Sequence, residues 1–92
     1  MPGPRFIADP PDRSRTLELD GLTALFHRPS GTTHILAPPA PQILAVLAGK
    51  AGDLDEILAR MAESFELEAE DAAASVEARL AELEAAGLVR PA

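Results

Sequence analysis

The fold of this chain is constrained most by three short strand-like segments that end at a run of prolines. Leu17 and Leu19 alternate with acidic residues, which is the two-residue period of a strand with one buried face. Asp20-Gly21 is a strong hairpin signal, and Pro29-Ser30-Gly31 predicts a second turn. The sequence therefore predicts three antiparallel strands, of which the third is Thr32–Leu36.

Three helices are predicted after the strands. The prolines at 38, 39 and 41 cannot continue a central strand but fit the first turn of a helix, here from about 39 to 48. Asp53 and Glu56 have the spacing of a capping box for a second helix, which carries Phe65 on its apolar face. A third helix is predicted over 69–86, with its buried positions at Ala72 or Ala73, Val76, Leu80 and Leu83.

The predicted fold class is α+β and winged-helix-like, with a three-stranded antiparallel sheet followed by three helices. Residues 1–15 are rich in proline and are expected to form an extended lead-in that Phe6-Ile7 attaches to the body. Residues 16–92 are expected to form one domain. A chain of this length buries only roughly 60 to 65% of its unfolded surface, so its stability margin is small.

Composition excludes several classes of protein. The chain has no cysteine, so disulfides and thiolate metal sites are excluded. The N-terminus lacks the apolar region of a secretory signal, and the longest apolar run, 43–48, is too short to span a bilayer. We therefore expect a cytoplasmic protein without a membrane partner.

Charge is divided unevenly along the chain. Residues 1–50 carry five basic and four acidic groups, whereas residues 51–92 carry three basic and eleven acidic groups. A winged helix often binds DNA, but an acidic third helix would repel phosphates. The charge pattern therefore predicts no nucleic-acid partner and favours a ligand with basic residues, and a winged-helix DNA-binding protein is kept only as the third interpretation.

Three stretches carry a family likeness: Gly21-Leu22-Thr23-Ala24-Leu25-Phe26-His27-Arg28-Pro29-Ser30-Gly31-Thr32-Thr33-His34-Ile35-Leu36, Ile43-Leu44-Ala45-Val46-Leu47-Ala48-Gly49 and the pattern from Leu80 to Leu88. In hydrophobic spacing and turns they resemble the PqqD family of small peptide chaperones, and most of all the branch found beside HPr-kinase-related proteins. One departure is that many relatives place Asn at the start of the first helix, where this chain has Ala37-Pro38-Pro39.

The resemblance implies a RiPP recognition element-like role. In that role the leader segment of a precursor peptide lies between the third strand and the third helix, and the protein hands it to a modifying or HPr-kinase-related enzyme. The strand order agrees, because a sequential meander leaves the third strand at an edge without Pro or Lys, where an extended peptide can add itself. The expected peptide-binding residues are Thr32, Thr33, His34, Ile35 and Leu36 on the strand, and Ala72, Ser75, Arg79 and Glu82 on the helix.

Other interpretations remain beside this one. The same edge could pair with a second copy of the chain, which would make the protein a structural or dimerisation module. His27 and His34 flank one turn, but no acid in the hairpin completes a metal site, so we expect solvated or groove-lining imidazoles and no metal or cofactor. The scattered serines form no nucleophile and base pattern, so we expect no catalysis.

Overall fold

The computed structural model describes residues 3–64 and 72–92. These residues form two antiparallel sheets and three α-helices, with a short 3-10 helix at Pro11–Arg13. The elements are β1 (Phe6–Ala8), β2 (Ser14–Leu19), β3 (Leu22–His27), β4 (Thr32–Leu36), α1 (Ala40–Leu47), α2 (Leu54–Ser64), α3 (Ala72–Ala85) and β5 (Val89–Pro91). The predicted α+β class, a three-stranded antiparallel sheet followed by three helices, is confirmed.

The three-stranded sheet has the order β2, β3, β4. Asp20 and Gly21 both adopt positive φ, 48° and 82°. Two-residue hairpin loops favour this geometry, because it matches the right-handed twist of the strands on either side. Leu17 lies opposite Ala24, and Ala24 lies opposite Ile35. The meander predicted from the turn residues is therefore observed, and β4 has the predicted bounds.

Local capping interactions mark the start of α2 and the end of α3. The α2 N-terminus is a reciprocal capping box, in which the Glu56 N–H donates to Asp53 Oδ1 at 2.9 Å and the Asp53 N–H donates to Glu56 Oε1 at 3.3 Å. The α3 helix is followed by Gly87 at φ 79°, a conformation that favours glycine. The predictions for Phe65 and for the start of the third helix at 69–71 lie outside the described residues.

The hydrophobic core joins the three helices to one face of the sheet. Its fully buried side chains come from all three helices: Ile43, Leu47, Ile57, Met61 and Val76. Leu80 and Leu83 on α3 and Leu25 on β3 are also buried in this cluster. The buried positions predicted for α3 are thus correct at Val76, Leu80 and Leu83, whereas Ala72 is half-buried and Ala73 is exposed.

A second small sheet ties the two ends of the chain together. β1 pairs antiparallel with β5, so that Ile7 lies opposite Arg90. The backbones of Phe6 and Gly52 also exchange two hydrogen bonds, at 2.8 and 2.9 Å. The segment predicted as an extended lead-in therefore contains a strand that attaches to the helical side of the domain, which leaves the edge of β4 uncovered by residues 3–15.

Candidate functional site

The edge strand β4 is the starting point of the candidate site. It pairs with β3 on one side, and within the described residues no strand pairs with its other side. Its backbone directions follow from the hairpin between β2 and β3, because a two-residue loop closes on a hydrogen-bonded pair, here Leu19 and Leu22. Bonding directions alternate along an antiparallel strand.

That alternation identifies which backbone groups point away from the sheet. Residues 22, 24 and 26 of β3 bond to β2, so residues 23, 25 and 27 bond to β4. Their partners on β4 are Leu36, His34 and Thr32. The N–H and C=O groups of Thr33 and Ile35 therefore point outward and can pair with an added strand.

A groove runs between this edge and α3. We call it the β4–α3 groove; its volume is about 530 Å³. Its apolar lining includes Leu36, Ala40 and Leu83, while Arg79 and Glu82 form an ion pair in its wall, with Nε and Oε2 3.1 Å apart. An extended peptide on β4 would direct every second side chain into this groove, since side chains alternate between the two faces of a strand.

The groove brings together six of the nine residues predicted for the site. These are Thr33, His34, Ile35, Leu36, Arg79 and Glu82. Thr32 is the next residue of the same strand, while Ala72 and Ser75 lie further back along α3 and do not line the groove. Sequence reasoning missed four lining residues, Ala37, Ala40, Leu83 and Ala86.

Helical spacing would have identified two of the missed residues. Once Arg79 is placed on the groove side of α3, positions three, four and seven residues later share its face. These positions are Glu82, Leu83 and Ala86, all of which line the groove. Ala37 and Ala40 carry no comparable signal, because their placement depends on how the chain turns from β4 into α1.

A second cavity, of about 410 Å³, lies between the inner face of the sheet and α1. His27 lines this cavity; its side chain is only 8% exposed, and its Nε2 donates to Asp9 Oδ2 at 2.8 Å. Asp9 also accepts a hydrogen bond from Arg90 at 2.9 Å. The hydrogen bond from His27, followed by that from Arg90, holds the pKa of Asp9 below its ordinary value.

His27 also begins a chain of polar contacts that reaches β4. Its Nδ1 lies 2.8 Å from Ser30 Oγ, Ser30 Oγ lies 2.6 Å from Thr32 Oγ1, and Thr32 Oγ1 lies 2.9 Å from His34 Nε2. With the His27 proton on Nε2, Ser30 Oγ donates to His27 Nδ1, Thr32 Oγ1 donates to Ser30 Oγ, and His34 Nε2 donates to Thr32 Oγ1. The expectation of a solvated imidazole is therefore wrong for His27, which is buried and lines the second cavity, whereas His34 lines the β4–α3 groove.

Neither a cluster of metal ligands nor a membrane-spanning helix is found among residues 3–64 and 72–92. Among residues 3–64 and 72–92, no three His, Cys, Asp or Glu side chains gather in a way that could hold a metal ion. His34 lies opposite Leu25 rather than opposite His27, so the two histidines do not face each other across the hairpin. No helix in the described part of the chain is long and apolar enough to cross a membrane.

The charge on α3 disfavours nucleic acid. The described helix carries Glu77, Glu82 and Glu84 against one basic residue, Arg79. In a winged-helix arrangement the third helix would have to approach the phosphate backbone, and its carboxylates would oppose the electrostatic attraction that dominates such binding. The fold and the groove thus define a small winged-helix-like α+β domain with an accessible strand edge.

Comparisons with known proteins identify the family. The model of the family described as coenzyme PQQ synthesis protein D (PqqD) matches residues 23–89, so this chain belongs to the PqqD family. Among solved structures, TbiB1 in complex with the TbiA(beta) leader peptide has a similar fold, with a TM-score of 0.58 and 17% sequence identity over 89% of this chain and 94% of that chain. A search of curated protein sequences finds no match.

Proposed function

We propose that this chain is a non-catalytic peptide chaperone of the RiPP-recognition type. It binds a precursor or leader peptide by strand addition to β4, with alternate side chains in the β4–α3 groove, and presents the peptide to a modifying or HPr-kinase-related enzyme in the cytoplasm. The observation that carries the proposal is the pair of outward-pointing backbone positions, Thr33 and Ile35, beside a groove lined by α3.

Family and fold support a peptide-binding role. The PqqD family match spans residues 23–89 and so includes both β4 and α3. The fold resembles that of TbiB1, which is bound to a leader peptide. The groove itself fits an extended segment, because its apolar lining takes aliphatic or aromatic side chains and its Arg79–Glu82 wall adds polar contacts.

Peptide ligands can be found without knowing the natural precursor. A phage-displayed library of random peptides is selected on the immobilised protein, and the affinities of the enriched peptides are measured by calorimetry. Ile35→Pro is then tested, since proline removes an outward N–H and is tolerated on an edge strand. We expect at least about tenfold weaker binding, because the guest carbonyl is left without its donor.

The matched control for this substitution lies on the opposite edge of the sheet. Residues 15, 17 and 19 of β2 bond to β3, so the N–H of Thr16 points outward from the other side. Thr16→Pro removes an equivalent donor and should leave peptide affinity unchanged. Equal losses in both variants, or none in either with circular dichroism unchanged, would rule out β4 as the site of strand addition.

A second pair of variants tests the groove. Ala86 lines the groove and Ala85 does not, although both are exposed near the end of α3. Ala86→Phe should fill the groove and weaken the selected peptides at least about tenfold, whereas Ala85→Phe should bind them as the unaltered protein does. Peptides that bind Ala86→Phe with full affinity would show that they occupy another surface.

The alternative use of the same edge is pairing with a second copy. In that case Ile35→Pro would abolish a dimer rather than a peptide complex. Light scattering on both proline variants and on Thr33→Pro separates the two outcomes, because strand-edge dimerisation predicts the same mass change for Ile35→Pro and Thr33→Pro, which both remove an outward N–H of β4, and none for Thr16→Pro. A protein that selects no peptide and dimerises through β4 would be a structural module and not a peptide chaperone.

A further inference from the structure

The outer face of the three-stranded sheet carries the exposed large apolar side chains of the described residues. Side chains directly opposite each other in paired strands share a face, and the register places all of them on the side away from the helices. Their exposed fractions lie between 41% and 61%. They are Leu17, Leu19, Leu22, Phe26 and Ile35.

These side chains form one continuous patch. Leu17, Ala24 and Ile35 make its central row, with Phe26 toward one end and the Leu19–Leu22 pair toward the other. Three strands about 4.8 Å apart and about six residues long give a footprint of roughly 300 Å². The largest apolar patch of a typical monomer covers about 300 to 600 Å² and is often functional, so a patch that takes up most of one sheet face in a domain this small points to an interaction surface.

The charges at the two ends of this face are complementary. Arg15 lies beside Phe26 on the outer face, and the exposed Arg13 and Arg28 are joined just beyond it by a backbone hydrogen bond of 2.9 Å. Asp20 lies in the turn at the opposite end. A second copy packed face to face with its strands reversed would bring each arginine end onto the Asp20 end of the other copy.

The distribution of charge over the whole chain favours the same packing. Residues 1–50, which include the sheet, have nearly balanced charge, whereas the described residues after them, 51–64 and 72–92, carry seven acidic and three basic groups. Contact through the sheets keeps the two acidic helical halves on opposite sides of the assembly, where their repulsion is weakest. Contact through the helices would bring these like charges together.

We propose that the outer face of the sheet binds a second copy of this chain and forms a reversible homodimer. This interface is distinct from pairing along the β4 edge, and it leaves the β4–α3 groove of both copies accessible. Stable interfaces cover about 800 Å² on each partner, so a footprint of roughly 300 Å² and its rim give a dimer that dissociates on dilution.

Sedimentation equilibrium tests the proposal over protein concentrations from about 1 μM to 1 mM. The mass-average mass of the unaltered protein should rise from 9.7 kDa toward twice that value. Leu17→Lys and Leu19→Lys place a charge on the patch and should hold the mass at 9.7 kDa throughout. Ala59→Lys adds the same charge to an exposed position of α2 and should dimerise like the unaltered protein.

Two results would overturn the dimer. A mass of 9.7 kDa at the highest concentration would show that the outer face of the sheet does not bind a second copy. A dimer that survives Leu17→Lys and Leu19→Lys, with circular dichroism unchanged, would use another surface. Neither result affects the proposed function, because peptide binding is measured separately with Ile35→Pro and Ala86→Phe.

Discussion

At the residue scale, Asp9 connects both ends of the chain to the sheet. Its carboxylate accepts from His27 on β3 and from Arg90 on β5, at 2.8 and 2.9 Å. Hydrogen bonds to a charged group contribute more than those to a neutral one, so Asp9→Asn should lower the free energy of unfolding by about 1 to 2 kcal/mol at neutral pH. Urea unfolding measures this difference.

The pH dependence of that difference follows from the lowered pKa of Asp9. A carboxyl group whose pKa is lower in the folded state stabilises the protein above its unfolded value, here near 3.8, and loses that contribution as the pH falls through the folded value. The gap between the two proteins should therefore be present at neutral pH and close in strong acid. Asp12→Asn, at an exposed neighbouring carboxylate, should show no gap at either pH.

The role of Asp9 could not be predicted from the sequence. Its partners are 18 and 81 residues away, and nothing in the spacing of Asp9, His27 and Arg90 indicates that they meet. By contrast, the sequence predicts that Thr33 and Ile35 belong to an edge strand, because turn signals and the alternating pattern of the strands locate that strand in the sheet. Local patterns identify positions on an element, while contacts between distant segments depend on how the elements pack.

At the element scale, the capping box of α2 offers a quantitative test. Asp53 accepts the N–H of Glu56 at 2.9 Å, and this bond satisfies one of the N–H groups that a helix start leaves without a partner. Asp53→Ala should lower the free energy of unfolding by about 1 kcal/mol. Asp55→Ala, which removes an exposed carboxylate from the first turn, should cost only a few tenths of a kcal/mol through the helix dipole.

The two variants are compared by thermal and urea unfolding under the same conditions. Similar losses in both would mean that the charge near the helix N-terminus matters and that the specific hydrogen bond does not. A larger loss for Asp53→Ala identifies the cap as the stabilising contact. Helix content in the folded baseline should stay nearly equal, because tertiary packing through Ile57 and Met61 holds α2 in place.

The elements that the sequence predicted share one property, which is a local signal. β4 follows a turn that contains glycine, α2 begins with a capping box, and α3 is followed by Gly87. Each of these elements therefore has a residue pattern at one boundary that marks where it begins or ends. β1 and β5 have three residues each, too few to display a period. They form only because the packed helices bring both ends of the chain together.

At the scale of the whole molecule, net charge and groove position predict the chemistry of the peptide. The chain carries a formal charge of −7, and the acidic groups concentrate in the half that contains α3. Long-range attraction therefore favours guests with Lys or Arg. Peptides enriched by selection on this protein should contain more basic than acidic residues, relative to the starting library.

Salt provides the direct measurement of this attraction. Raising NaCl from about 0.05 to 0.5 M shortens the Debye length from roughly 13 to 4 Å, so contributions from carboxylates outside direct contact are screened. The affinity of a basic selected peptide should fall severalfold, whereas a neutral analogue with its Lys and Arg changed to Gln should bind nearly equally at both salt concentrations. If the basic peptide binds equally well in high salt, apolar groove contacts and strand pairing select the guest, and the acidic helical half has no part in recognition.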